Sequence, residues 1–139
     1  MPDAALTGKA IVIQLHAQTL TAYDHATVAL ATPVTTGRQY LATLVGQSAI
    51  FRRASPYLFV SPWPAGSNNW YPPSWVTWAL EFRAGGYYLH DAPWEPAGAF
   101  GPGSENGPYA SHGCVHVPTA AMQTLYGWAS NGTTVDVTN

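Results

Sequence analysis

Apolar residues alternate with polar or small ones through the first part of the chain, and this period of two commits it to β-structure. Lys9–Leu15 puts Ile11, Ile13 and Leu15 on one face, Gln18–Tyr23 is rich in Thr, Leu and Tyr, and Thr27–Val34 puts Val28, Leu30, Thr32 and Val34 on one side. Asp24-His25 between the second and third runs reads as a tight turn, so an antiparallel meander is the expected opening. Ser48–Arg53, Tyr57–Ser61, Val76–Phe82, Gly86–Leu89 and Thr133–Val137 read as further strands. Only Thr119–Ala129 carries apolar residues at helical spacing, with Met122, Leu125, Tyr126 and Ala129 on one side. Thr119 is placed to cap its start, and Asn131-Gly132 marks its end. The predicted class is mainly β with one helix toward the C-terminus.

Two stretches resist regular structure. Residues 62–75 hold four prolines and three tryptophans, which excludes an uninterrupted strand or helix and predicts a long ordered loop or lid. Ala92–Ala110 is a Gly/Pro/Ser loop. At 139 residues the chain is long enough for one domain over 1–139 with a single core. Charged residues are 9% and the net charge is -2, with no basic stripe, which argues against nucleic-acid binding. No apolar run approaches the roughly 20 residues of a membrane span. Met1–Leu6 lacks the basic and apolar regions of a secretion signal.

The chemistry concentrates in Tyr88-Leu89-His90-Asp91 and Ser111-His112-Gly113-Cys114-Val115-His116. Cys114 is the only cysteine, so no disulfide within the chain is possible. An imidazole beside a thiol can take its proton and hold a thiolate, the start of acyl transfer. Gly113 permits a sharp turn that leaves neighbouring N–H groups open to a developing oxyanion. The helix beginning near Thr119 would add a small push toward the thiolate. Two other readings stand beside this one. His112, Cys114 and His116 alternate, so on a strand they would point one way and, with His90, could hold zinc. Cys114 could equally be a structural thiol among satisfied histidines. His16 and His25 fall in early turns and read as surface residues.

The Ser111-His112-Gly113-Cys114 block after a strand-ending His90 resembles the signature of L,D-transpeptidase catalytic domains of the YkuD type. Lys9–Tyr23 resembles the family's opening hairpin and Thr35-Thr36-Gly37 its Ser/Thr-Thr-Gly turn. His90-Asp91-Ala92-Pro93-Trp94 is similar to the His-Ser-Ala-Pro-Trp stretch of actinobacterial members. Ala121–Tyr126 with Gly132–Val135 resembles the closing helix and strand. The likeness thus extends over nearly the whole chain, and it implies a β-sandwich-like fold in which residues 62–75 form a lid.

The resemblance implies cysteine-dependent transfer between peptidoglycan stem peptides and so a part in cell-wall organisation and cell shape. Cys114 is then the nucleophile and His90 the general base. Asp91 holds the position whose backbone or side chain orients that imidazole. Ser111, His112 and Gly113 line the oxyanion hole and substrate edge, with His116 and Trp94 as further substrate contacts. No metal or cofactor is implied, and a monomer is expected. Action on the wall implies an extracytoplasmic site, hence a piece of a longer exported protein. Trimming of stem tetrapeptides, or wall binding without turnover, are the alternatives.

Three departures stand out. Twenty residues (91–110) separate His90 from Ser111, more than usual. His116 stands where Arg or Asn is usual, which bears on specificity more than on chemistry. Thr43-Leu44 stands where Thr-Pro is common. The lengthened loop also holds Asp91, Glu95 and Glu105, read either as a solvated face or as an attraction for a cationic acceptor amine.

Overall fold

The computed structural model describes residues 2–139. The opening meander forms as its alternation requires. Strands β1 (Lys9–Gln14), β2 (Thr19–Asp24) and β3 (Thr27–Pro33) pair antiparallel in sequence. The β2–β3 turn centres one residue later than expected, on His25 and Ala26, both with positive φ. A five-residue helix α1 (Asp3–Thr7), too short to show a period, precedes β1. The turn ties down both its end and the residue after it, since Ala26 N–H donates to the Ala5 carbonyl and His25 N–H to Gly8.

The next strands are shorter than the sequence expects: β4 (Gly46–Ala49), β5 (Arg52–Ala54) and β6 (Tyr57–Phe59). The long apolar run at 76–82 is broken in two. Its first residue ends β7 (Ser74–Val76), and β8 begins at Ala79 (Ala79–Arg83). The cause lies in β9 (Tyr87–Asp91). The buried Asp91 carboxylate accepts the N–H groups of Thr77 at 3.0 Å and Trp78 at 2.8 Å, pulling the chain out of one strand and into the next. Residues 74–75 therefore belong to a strand, and the irregular segment is narrower than 62–75.

Strand β10 (Val115–Val117) is followed by helix α2 (Thr119–Trp128) and β11 (Thr134–Thr138). Thr119 is the first helical residue and not its cap; Pro118 takes the cap position and its carbonyl accepts the Met122 N–H at 2.8 Å. The helix stops before Asn131-Gly132 because cations satisfy its last carbonyls. Lys9 Nζ donates to Trp128 O at 2.8 Å, and Arg53 donates to Tyr126 O and Ala129 O.

One sheet runs β3-β2-β1-β11-β4 and the other β10-β9-β8-β5, while β6 and β7 form a separate hairpin. Pairing is antiparallel except for β1 with β11 and β9 with β10. Ile11, Ile13, Leu20, Val135 and Val137 of the first sheet share one buried cluster with Leu80, Phe82, Leu89, Val115 and Val117 of the second, and α2 adds Met122 and Leu125. Two sheets closing over one core make the mainly β, sandwich-like fold. No helix of the described residues is long and apolar enough to cross a membrane.

Candidate active site

The parallel β9–β10 pair places His90 directly beside His116 in register. Ahead of β10, residues 111–114 form a tight loop braced from several sides. Ser111 N–H donates to Thr36 O at 3.1 Å, and Arg38 N–H returns a bond to Ser111 O at 3.0 Å. The Arg38 side chain adds bonds to the carbonyls of Ser111 and Ala110. Thr43 Oγ1 donates to the Gly113 carbonyl at 2.8 Å and accepts from Gly37 N–H at 3.1 Å. Gly113 has a φ of +123°, and a Cβ there would meet the Tyr87 ring at 2.9 Å, so only glycine fits without strain.

A cleft of about 350 Å³ opens over this loop, lined by Cys114, His90, His116, His112, Ser111 and Trp94 together with Arg38, Phe59, Tyr71 and Tyr109. Six of the eight candidate residues thus meet around one cavity. Asp91 stands behind it. Its carbonyl accepts the His90 Nδ1 proton at 2.6 Å, leaving Nε2 with the free lone pair, while its carboxylate holds the β7–β8 bend. The backbone, and not the side chain, orients the imidazole.

Gly113 makes a different contribution from the one expected. Its N–H donates to Ser111 Oγ at 3.0 Å, and that hydroxyl donates onward to the Cys114 carbonyl. The Gly113 amide is therefore committed, and within the loop His112 and Cys114 are the remaining amide candidates for an oxyanion.

Nor is the thiol a resting thiolate. Cys114 is half-buried against Val76, Ala79 and Tyr88, and its Sγ donates to the Gly86 carbonyl at 3.4 Å. Burial pushes the thiol pKa up to about 12, although the Tyr88 backbone opposes the rise. His90 lies among Phe59 at 4.6 Å, His116 at 4.9 Å and Trp94 at 6.1 Å between ring centroids. Burial, then the neighbouring His116, lowers its pKa to about 3. The cleft thus holds a neutral thiol and a neutral imidazole at rest. Strand β10 also separates Cys114 from α2, so the helix start is not adjacent to the sulfur.

The histidines do not share one face. Cys114 precedes β10, and only His116 lies within it. His112 turns to the loop between β6 and β7, with Trp63 at 5.5 Å and Tyr71 at 5.0 Å. Its pKa falls to about 4, through burial and then Arg38 and His116. Among the described residues, no three His, Cys, Asp or Glu side chains are placed to hold a metal ion. His16 and His25 are exposed, as expected.

The acids of the lengthened loop are not a solvated face. Glu95 is 7% exposed; it accepts from His116 Nδ1 at 2.8 Å and from Thr35 Oγ1 at 2.5 Å. Sequence reasoning missed this pairing, and also Gln18. Buried at a positive φ of 52°, Gln18 holds Thr36 and Ser104 through its amide. An isolated Gln in a turn carries no pattern that announces such a role.

The depressed pKa of His90 has a consequence for stability. The unfolded chain takes up this proton near pH 6.5 and the native one only near pH 3. The stabilisation is full above pH 6.5 and is lost as pH falls toward 3, by on the order of 4 kcal/mol over that window. Urea unfolding at pH 7.5, 5.5 and 4 should show the decline, and His90→Gln should flatten most of it, leaving the smaller share of His112. A native protein equally stable at pH 7.5 and 4 would contradict the burial argument.

Comparison with known proteins bears on the fold and the family. Residues 8–137 match the family model of the YkuD L,D-transpeptidase catalytic domain. No curated protein matches the chain in sequence. Among solved structures, the Ldtfm–avibactam carbamoyl enzyme is 26% identical with a TM-score of 0.83, covering 96% of this chain and 49% of that one. The catalytic domain of the Enterococcus faecium L,D-transpeptidase is 24% identical with a TM-score of 0.75, over 93% and 95% of the two chains. L,D-transpeptidase 3 from Mycobacterium tuberculosis, solved with a faropenem-derived adduct, is 21% identical with a TM-score of 0.82, over 95% and 60%. The chain spans about half of the first of these proteins and three-fifths of the last. With the family model matched over almost all of its length, the chain belongs to the YkuD family of L,D-transpeptidase catalytic domains.

Proposed function

We propose that residues 1–139 form a cysteine-dependent L,D-transpeptidase domain that joins peptidoglycan stem peptides through a thioester, making 3→3 cross-links outside the cytoplasmic membrane. The observation that supports the reading is that one cleft is lined both by Cys114 and by a His90 whose Nδ1–H is fixed on the Asp91 carbonyl. That bond leaves Nε2 as the proton acceptor.

Because both partners rest neutral, proton transfer accompanies attack and does not precede it. The sulfur adds to the carbonyl carbon of the third residue of a stem tetrapeptide as His90 Nε2 takes the thiol proton. The oxyanion is held by loop amides, with His112 and Cys114 as candidates. The imidazolium then protonates the departing D-Ala amine, leaving a thioester on Cys114. A side-chain amine of a neighbouring stem attacks, the C–S bond breaks, and the thiol is regenerated. Trp94 and Tyr71 wall the cleft, and the 60–73 loop, carrying Trp63 and Tyr71 against His112, is the lid.

The test is intact-mass measurement. Incubation with a carbapenem such as imipenem should add one drug mass, and the modified peptide should contain Cys114. Tetrapeptide with an acceptor amine should yield the cross-linked product. Hydrolysed product alone would mark the domain as a carboxypeptidase. An inert thiol toward both reagents would leave a wall-binding module in place of an enzyme.

A further inference from the structure

The His116–Glu95 pair is unexplained by the thiol–imidazole chemistry. His116 is 6% exposed and Glu95 7%, in a chain with only 7 acidic residues. Burying a carboxylate is costly unless its oxygens are satisfied, and here each accepts a hydrogen bond. Glu95 Oε1 takes the His116 Nδ1 proton at 2.8 Å and Oε2 takes the Thr35 hydroxyl at 2.5 Å. The backbones of Thr35 and His116 bond each other twice, at 3.0 and 2.8 Å, so the pair has little freedom to move. Trp94 covers the ring edge to face at 5.7 Å.

A structural tie between loop and strand would need only the Nδ1 contact, and an amide would serve. An imidazole keeps a second nitrogen. With Nδ1 committed to a carboxylate, Nε2 is the ring's only remaining proton site, and the ring lines the same cleft as Cys114 and His90. Imidazole backed by carboxylate is the arrangement of a general base.

We propose that His116, backed by Glu95, is a second proton acceptor in the cleft and serves the incoming amine of the acceptor stem. This rests on the transpeptidase reading. An aliphatic amine arrives as an ammonium ion and must lose a proton before its lone pair can attack. His116 Nε2 takes that proton and becomes an imidazolium paired with the Glu95 carboxylate. The free amine adds to the thioester carbonyl, forming C–N and breaking C–S. The second amine proton passes through His90 to the Cys114 thiolate. His116 then releases its proton to water. One positive charge enters with the ammonium ion and one leaves with the proton His116 gives to water, so the step balances. Water needs no such prior deprotonation, so the pair favours transfer over hydrolysis.

Other charged or titratable groups bear on His116. His90 faces it from β9, Glu95 from the following loop, His112 and Cys114 from the 111–114 loop, and Arg38 from the segment after Thr35. Among the described residues, Glu95 is the carboxylate hydrogen-bonded to the ring.

Glu95→Gln and His116→Asn test the proposal. Acyl-enzyme formation from a stem tetrapeptide is followed by rapid-quench mass spectrometry, and its partition between an acceptor amine and water is measured from pH 6 to 10. In both variants the ratio of aminolysis to acylation should fall about a hundredfold at pH 7, the low end of what loss of a general base costs. It should recover toward pH 10, where the amine is already free. Acylation and aminolysis falling in parallel, with an unchanged pH profile, would reduce the pair to a structural tie and overturn the proposal. Should His116→Asn fail to fold by circular dichroism, Glu95→Gln decides alone; should both unfold, the native pH profile of the partition decides. A native ratio that climbs with pH in step with the free-amine fraction, as expected without the second base, would refute the proposal. A native protein that forms no acyl-enzyme from the tetrapeptide would instead overturn the transpeptidase reading beneath it.

Discussion

Cys114→Ala should abolish acyl-enzyme formation outright, with the turnover of stem peptides falling by about four orders of magnitude or more. The fold should survive. The side chain is half-buried and packs only the small Val76, Ala79 and Tyr88 cluster, so its loss should cost about 1 kcal/mol. His90→Ala should reduce acylation almost as far, because sulfur and imidazole act as a unit, and the double variant should be little worse than either single one. Cys114→Ser is the sharper variant. A serine hydroxyl gives up its proton to the same imidazole far less readily than a thiol does. It should therefore remain unmodified by imipenem while binding in the same cleft. A drug adduct on Cys114→Ala, or full turnover by it, would place the chemistry elsewhere in the molecule.

Much of this was legible in the sequence, and for a physical reason. Strand alternation survives folding because one face of each sheet must be buried, so Ile11 and Ile13 fell where their spacing put them. The helix was legible through Met122 and Leu125 for the same reason. What stayed hidden were bonds between residues far apart along the chain. The break between β7 and β8 depends on Asp91, more than ten residues away. The shape of the 111–114 loop depends on Thr43, 70 residues from Gly113. The Glu95–His116 pair spans 21 residues and joins a loop to a strand. Residue type and spacing pointed to the residues that meet around the cleft. They could not show that the thiol's own hydrogen bond goes to Gly86, or that the Gly113 amide is already taken by Ser111.

Gly37→Ala should be the most damaging substitution outside the reacting pair. A Cβ at this position would lie 2.1 Å from the Leu41 carbonyl oxygen, 2.8 Å from the Thr43 nitrogen and 3.0 Å from the Ala42 carbonyl carbon. All three are backbone atoms, so no side chain can swing aside, and the 38–43 segment must move as a whole. That segment brings Arg38 to Ser111 and Ala110, and Thr43 to Gly113. Its displacement costs about 3 kcal/mol, which for a chain of this size lowers Tm by roughly 10 °C. The site should suffer more than the core. With the Gly113 carbonyl released, the turn carrying Cys114 loses its brace, and a misplacement of about 1 Å at a reacting group costs on the order of a hundredfold in rate. Gly127→Ala provides the contrast, since a Cβ on that exposed turn of α2 meets nothing within 4 Å. There the exchange should raise stability by up to about 1 kcal/mol through helix propensity and leave imipenem acylation unchanged. Thermal melts and acylation rates of the two variants, measured side by side, separate the effect of the substitution from that of its place. Equal melting temperatures, or a Gly37→Ala protein that acylates at the native rate, would show that the Gly37–Thr43–Gly113 connection does not hold the nucleophile in position.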